Sequence, residues 1–181
     1  MRKFFAMMMA LAMLFSFAAC GSKTAEPTTA PTEAAAKVEG TMEELLNKVV
    51  EINPVEFMGG TVPIDLTDTS EDGLWNIKYN TGLDSAEGLT DAAMFGPMMG
   101  SMAFSMVMVR TAEGTDVKAI AEGMKNGVDP RKWICVEADD LQVVSYGDVV
   151  MLIMVDSTSG LTSQSFVDAF AQVCGGSVTT F

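Results

Sequence analysis

The sequence contains no histidine. That absence removes the commonest general base, every Ser-His or Cys-His nucleophile pair and histidine-ligated zinc. Most hydrolytic mechanisms are excluded with it. Cations are scarce, with 11 Lys and Arg against 24 Asp and Glu and a net charge of −13. A nucleic-acid surface needs clustered Lys and Arg, so no nucleic-acid partner is expected. The patterns GxGxxG, GxxxxGK[ST] and GxSxG are all missing, which removes the familiar phosphate loops and the nucleophile elbow. The longest near-continuous apolar run, Phe4 to Ala19, is broken by Ser16. It is too short to cross a hydrocarbon core of ~30 Å comfortably.

That run follows Arg2 and Lys3 and ends Phe17-Ala18-Ala19-Cys20-Gly21-Ser22. A basic start, an apolar stretch and small residues before a cysteine form a secretory leader of the lipobox kind. The expectation is a lipoprotein signal peptide over residues 1–19, removed to leave a diacylglyceryl-modified Cys20. Two acyl chains make membrane residence stable, each buried CH₂ contributing about 0.8 kcal/mol. Loss of Arg2 and Lys3 leaves 9 basic against 24 acidic residues, a net charge of −15. Anionic headgroups repel such a body. The expected location is therefore the outer face of the cytoplasmic membrane, lipid-anchored and standing off the surface.

Residues 20–40 are rich in Thr, Ala and Pro and have no aromatic side chain. They read as a flexible, disordered tether carrying the lipidated cysteine. Residues 41–181 suffice for one core. Thr41 and Glu44 make a capping box before the stripe Met42, Leu45, Leu46, Val49 and Val50, and Pro54 ends that helix. A loop or weak extended segment follows, through Asp65 to Gly73. Leu74 to Tyr79 alternates and reads as a strand, while Asp91 to Gly100 is ambiguous around Gly96-Pro97. Met102 to Arg110 alternates well, with Met102, Phe104, Met106 and Met108 on one face. A helix follows Thr115 and stops at Gly127, and Trp133 to Val136 is a short strand. Leu141–Tyr146 and Val149–Val155 flank Gly147-Asp148 as a hairpin, the second strand central because it is continuously apolar. Phe166, Val167, Phe170 and Val173 mark a last helix before Gly175-Gly176. The whole is an α+β fold, a mostly antiparallel sheet with helices packed on one face.

No catalytic residue stands out. Asp68, Ser70 and Asp72, followed by Gly73, resemble the opening of a calcium loop. The twelfth position is Tyr79 rather than Glu, so a solvated turn is the favoured reading and weakly bound Ca²⁺ the only cofactor the pattern admits. Met94, Met98, Met99, Met102, Met106 and Met108 suit soft Cu(I) ligation, core filling, or an adaptable apolar groove. Trp75 and Tyr79 share a face and form either core or an aromatic platform, which with Met98 and Met99 would line a ligand groove. Cys135 and Cys174 remain as a disulfide pair or as buried thiols. Glu137, Asp139 and Asp140 form an acidic run, a solvated turn or a carboxylate site for metal or acid–base work.

Several features together resemble the small lipoproteins of Gram-positive anaerobes that carry domain of unknown function 4358. These are the lipobox and Thr-rich tether, the helix at Leu45-Leu46, the segment Tyr79-Asn80-Thr81-Gly82-Leu83-Asp84, Pro97-Met98-Met99 leading into Ala103–Arg110, and the hairpin at Gly147. The likeness spans most of residues 41–173. It implies an envelope location, a shared fold and sparing use of disulfides, and it carries no activity. The expected function is a lipid-anchored extracytoplasmic domain that binds an envelope protein, a peptide or a small ligand. The alternatives are a carboxylate-metal protein or enzyme and an accessory solute-binding lipoprotein.

Overall fold

The computed structural model describes residues 37–181. Cys20, the leader and most of the tether lie outside the described residues. At the near end Val38 is buried, and its N–H donates to Asp148 Oδ1 at 3.1 Å. The folded unit therefore starts a few residues before Thr41.

The first helix, α1 (Met42–Ile52), carries the expected capping box: Glu44 N–H donates to Thr41 Oγ1, and Thr41 N–H donates to Glu44 Oε2. Met42, Leu45, Leu46 and Val49 are fully buried along one side. Strand β1 (Gly59–Pro63) follows. The segment expected as a strand, Leu74–Tyr79, is instead part of helix α2 (Glu71–Thr81). Its buried positions are Gly73, Ile77, Asn80 and Thr81, which is helical spacing. Three of those four are small or polar, so the helical stripe is invisible to a hydrophobic count, and the alternation of Trp75, Ile77 and Tyr79 misleads. The end signals are unambiguous. Ser70 caps the start, Glu71 and Asp72 occupy the first turn, Lys78 the last, and Gly82 adopts the left-handed C-cap at φ +81°.

Strands β2 (Leu89–Pro97) and β3 (Phe104–Thr111), helix α3 (Val117–Gly127), strands β4 (Asp140–Tyr146) and β5 (Val149–Val155), helix α4 (Ser163–Cys174) and the short β6 (Thr179–Thr180) complete the chain. The expected Trp133–Val136 strand is loop between α3 and β4. Helix α3 is capped by Asp116 rather than Thr115. All five neighbouring strand pairs are antiparallel, in the order β1-β2-β3-β5-β4-β6.

The α+β class and the antiparallel sheet are as expected, and β5 is central. The helices, however, cover both faces rather than one. Phe104, Met106, Met108, Met151 and Ile153 pack with α1 and α4. Val107, Val109, Val150, Leu152 and Met154 pack on the opposite side with Ile77 of α2 and Ala121 and Met124 of α3. Every residue of β5 is buried. Side chains alternate across a strand, so a strand apolar at every position needs cover on both sides. The α2–α3 layer is close-set: a Cβ on Gly127 would lie 2.0 Å from the Gly82 carbonyl oxygen.

Polar ties fix the start of α1 to the sheet, with the Met42 N–H donating to Asp91 Oδ2 at 2.9 Å. Arg110 Nη1 meets Asp148 Oδ2 at 2.5 Å and Nη2 donates to the Gly40 carbonyl at 2.7 Å. Asp148, in the β4–β5 turn, also accepts the Val38 N–H.

Phe104 packs edge-on against Phe57, Phe95 and Phe166 and is 1% exposed. Phe104→Ala should cost about 3–5 kcal/mol in urea unfolding. Met99→Ser, at an exposed turn position, should stay within about 0.5 kcal/mol of the parent.

Candidate functional site

Residues four apart on a helix stand one above the other, so α2 stacks two pairs, Trp75 with Tyr79 on its outer side and Asn76 over the buried Asn80. Trp75 and Tyr79 stack with ring centroids 4.8 Å apart and planes at 24°. Asn80 Nδ2 donates to the Asn76 carbonyl at 2.9 Å and to Asn76 Oδ1 at 2.8 Å. Facing them is the chain at β1 and just beyond, Val62, Pro63 and Ile64, with Met94 of β2. These eight residues line an open groove of about 260 Å³. Trp75 keeps 63% of its surface exposed, and Val62 keeps 54%.

Lys132, from the α3–β4 loop, closes this arrangement from behind. Its Nζ lies 4.8 Å from the Tyr79 ring centroid and 5.5 Å from that of Trp133. It donates to the Tyr79 carbonyl at 3.2 Å and to Ser105 Oγ at 3.1 Å, while Tyr79 Oη donates to the Lys132 carbonyl at 3.3 Å. Among the described residues no carboxylate stands within 4.0 Å of this ammonium. Burial pushes its pKa down to about 8, against a weaker upward pull from Asp129. A lysine beside a serine invites comparison with Ser-Lys nucleophiles. Ser105 is 1% exposed, so no substrate carbonyl can approach its hydroxyl. The pair ties the loop to α2 and holds Tyr79 against Trp75.

The expected residues divide. Trp75 and Tyr79 come together in the groove. Met98 and Met99 do not line it; they are 73% and 72% exposed beyond the end of β2. The methionines form no single cluster, because Met106 and Met108 pack with α1 and α4 while Met94 packs on the other face.

Asp68, Ser70 and Asp72 form the N-terminus of α2. Asp68 Oδ1 accepts the Ser70 N–H at 2.9 Å, and Ser70 Oγ accepts the Gly73 N–H at 3.2 Å. The hydrogen bonds to Ser70 hold the Asp68 carboxyl below its usual range. A Cβ on Gly73 would fall 2.4 Å from Asp68, so the glycine serves this cap.

The second acidic run disperses likewise. Glu137 pairs with Arg131, Asp139 accepts from Ser157, and Asp140 accepts from Ser163. Among the described residues no three His, Cys, Asp or Glu side chains stand close enough to hold a metal ion. Cys135 and Cys174 are free. Trp133 and Val136 beside Cys135 pack on one sheet face and Cys174 on the other, so the pair is unbridged. Burial, with the nearby Asp148 charge, pushes the Cys174 thiol up to about 12.

The sequence reading missed Asn76, Asn80, Lys132 and the β1 wall. The i, i+4 repeats after a Ser cap were the available signal for the asparagines. The lone cation in Lys132-Trp133-Ile134-Cys135-Val136 was the signal for the lysine. Compared with family models, with curated proteins and with solved structures, the chain shows no match.

Two outcomes test this geometry. The fold disfavours the charged form of Lys132, so between pH 8 and 10.5 the unfolded chain binds that proton more tightly. Stability contributed by this group therefore rises with pH through that window, by at most about 1.4 kcal/mol per unit. Lys132→Met should lack that rise in urea curves taken across the window; parallel profiles would refute the burial. In a Cys20→Ser chain, the exposed Cys135 should react promptly with a thiol reagent, the half-buried Cys174 should react more slowly than it does in the unfolded chain, and a reductant should leave the melting temperature unchanged.

Proposed function

We propose that this protein is a lipid-anchored extracytoplasmic binding domain, held to the outer face of the cytoplasmic membrane through Cys20, with its ligand site in the Trp75–Tyr79 groove. The observation that carries the reading is a tryptophan left 63% exposed yet braced by a stacked Tyr79, with Lys132 behind that ring. Exposed tryptophan is costly on a surface and valuable in recognition, because a rigid aromatic face contributes contact area at little entropic loss. The Asn76 amide at the groove wall, held from beneath by Asn80, adds a polar group that orients a ligand. The acidic side chains of the two candidate metal runs are engaged in caps and turns on separate elements. The leader ending at Cys20 and the charge of the body support anchoring at a distance from the lipid surface.

Titration with short peptides, oligosaccharides and cell-wall fragments should move Trp75 emission, read in a Trp133→Phe background. Trp75→Ala should abolish that binding, read by calorimetry, while changing stability by no more than about 1.5 kcal/mol, the worth of its stack on Tyr79. Turnover of any of these compounds by the purified protein would overturn the reading. Cys20→Ala should release the protein from the membrane fraction.

A further inference from the structure

Strand β1 is an edge. Its ladder to β2 pairs residues whose numbers run Gly59 with Pro97 through Pro63 with Ala93. The Ile64 N–H donates to the Ala92 carbonyl, and the Met98 N–H donates to the Met58 carbonyl. In an antiparallel ladder hydrogen-bonded pairs alternate, so positions 58, 60, 62 and 64 bond inward to β2. The N–H and C=O groups of Gly59 and Thr61 and the C=O of Pro63 then point away from the sheet. Among the described residues none of these finds a backbone partner. Natural edges are usually blunted by lysine, proline or cover. Here Pro63 blunts one end only, and β1 has no lysine.

The sequence flanking β1 is of one sign. From Glu51 to Asp72 the chain carries Glu51, Glu56, Asp65, Asp68, Glu71 and Asp72, all exposed, with no Lys or Arg. Hydrogen bonds to Thr67 and Ser70 keep Asp65 and Asp68 ionised below the usual carboxylate range. On the α2 side of the strand stand Val62 and Trp75 of the groove.

Resting on the binding reading above, we propose that the ligand is a basic, extended peptide segment of a partner protein, added as a further strand to the free edge of β1. Its main chain pairs with Gly59 and Thr61. Alternate side chains turn toward Val62 and Trp75, and its cations meet the acidic flanks of β1. Backbone pairing supplies affinity in such additions and side-chain pockets supply selectivity. Charge of opposite sign speeds encounter and rejects acidic partners.

The test uses the full chain in neutral detergent and a short peptide of alternating lysine and valine with a central tyrosine, beside its glutamate-for-lysine counterpart. Hydrogen exchange and Trp75 emission are read together. The basic peptide should slow exchange at Gly59–Val62 and shift Trp75 emission, and the acidic one should do neither. Thr61→Pro removes one outward N–H and should weaken binding at least about tenfold, the worth of one or two backbone hydrogen bonds. Thr61→Val loses the same side-chain bond to Asn47 Oδ1 but keeps the N–H, and should bind as the parent does. If Thr61→Pro folds poorly, Val62→Lys takes its place, an exposed substitution that should repel the basic peptide. A shift in Trp75 emission without protection of β1 would overturn strand addition and leave the groove as the site. Equal binding of both peptides would overturn the charge argument, and with it the proposal. Response to a sugar alone would overturn the peptide and keep the binding reading; silence from every probe would overturn both. Self-association through a protected β1 without peptide, read by light scattering, would make a second copy the occupant and overturn the proposal.

Discussion

Burial of β5 on both faces is the constraint from which the architecture follows. Val149–Val155 offers seven apolar side chains with no exposed position. Exposing either set would leave a large apolar surface in water, at about 25 cal/mol per Å². Strands β3 and β4 flank it and protect its backbone groups. Two helical layers protect its side chains. Helices α1 and α4 supply bulk on one face through Leu45, Leu46, Phe166 and Phe170. On the other face α3 lies over β4 and β5, and the thinner α2 reaches toward β1.

The groove is a product of that uneven cover. Helix α2 contacts the core through Gly73, Ile77, Asn80 and Thr81, so it sits close with little apolar bulk. Its aromatic residues are left for the outer side. They are ordered by contacts from a distant loop, where Lys132 spans from Ser105 on β3 to the Tyr79 carbonyl. Among the described residues no carboxylate stands within 4.0 Å of this amine, and dipoles and ring faces hold it with a weaker pull from Asp129. Burial disfavours its charge, and its place makes sense as a brace for Tyr79.

The acidic residues show how composition and site differ. Acidic patterns at Asp68–Asp72 and Glu137–Asp140 read in sequence as solvated turns, with metal or acid–base chemistry as the alternative. In three dimensions they satisfy backbone groups at α2 and α4 and at the Ser157–Ser159 turn. Asp and Ser are favoured at caps for the same reason that they make metal ligands: a short side chain with an oxygen in reach of its own backbone. Nothing within the run separates the two uses; the partners do.

Much was legible in the residues alone. The α1 capping box, the alternation of β3, the Gly147-Asp148 hairpin, the central place of β5, the last helix and the α+β class all rest on signals that act within a few residues or along one strand. Trp75 and Tyr79 could be paired from their spacing, though on the wrong element. What the tertiary structure decided was which face each helix covers, that α2 is a helix at all, where Lys132 reaches, that Cys135 and Cys174 stay apart, and that β1 is an edge with open backbone groups. Those outcomes depend on contacts between residues tens of positions apart, such as Lys132 with Tyr79 and Ser105. Local propensity is worth tenths of a kcal/mol per residue, and burial of a core side chain is worth about 1.5–3 kcal/mol. Along Leu74–Tyr79 the alternation suggests a strand, and the Ser70 and Gly82 caps together with burial of Ile77 make it a helix.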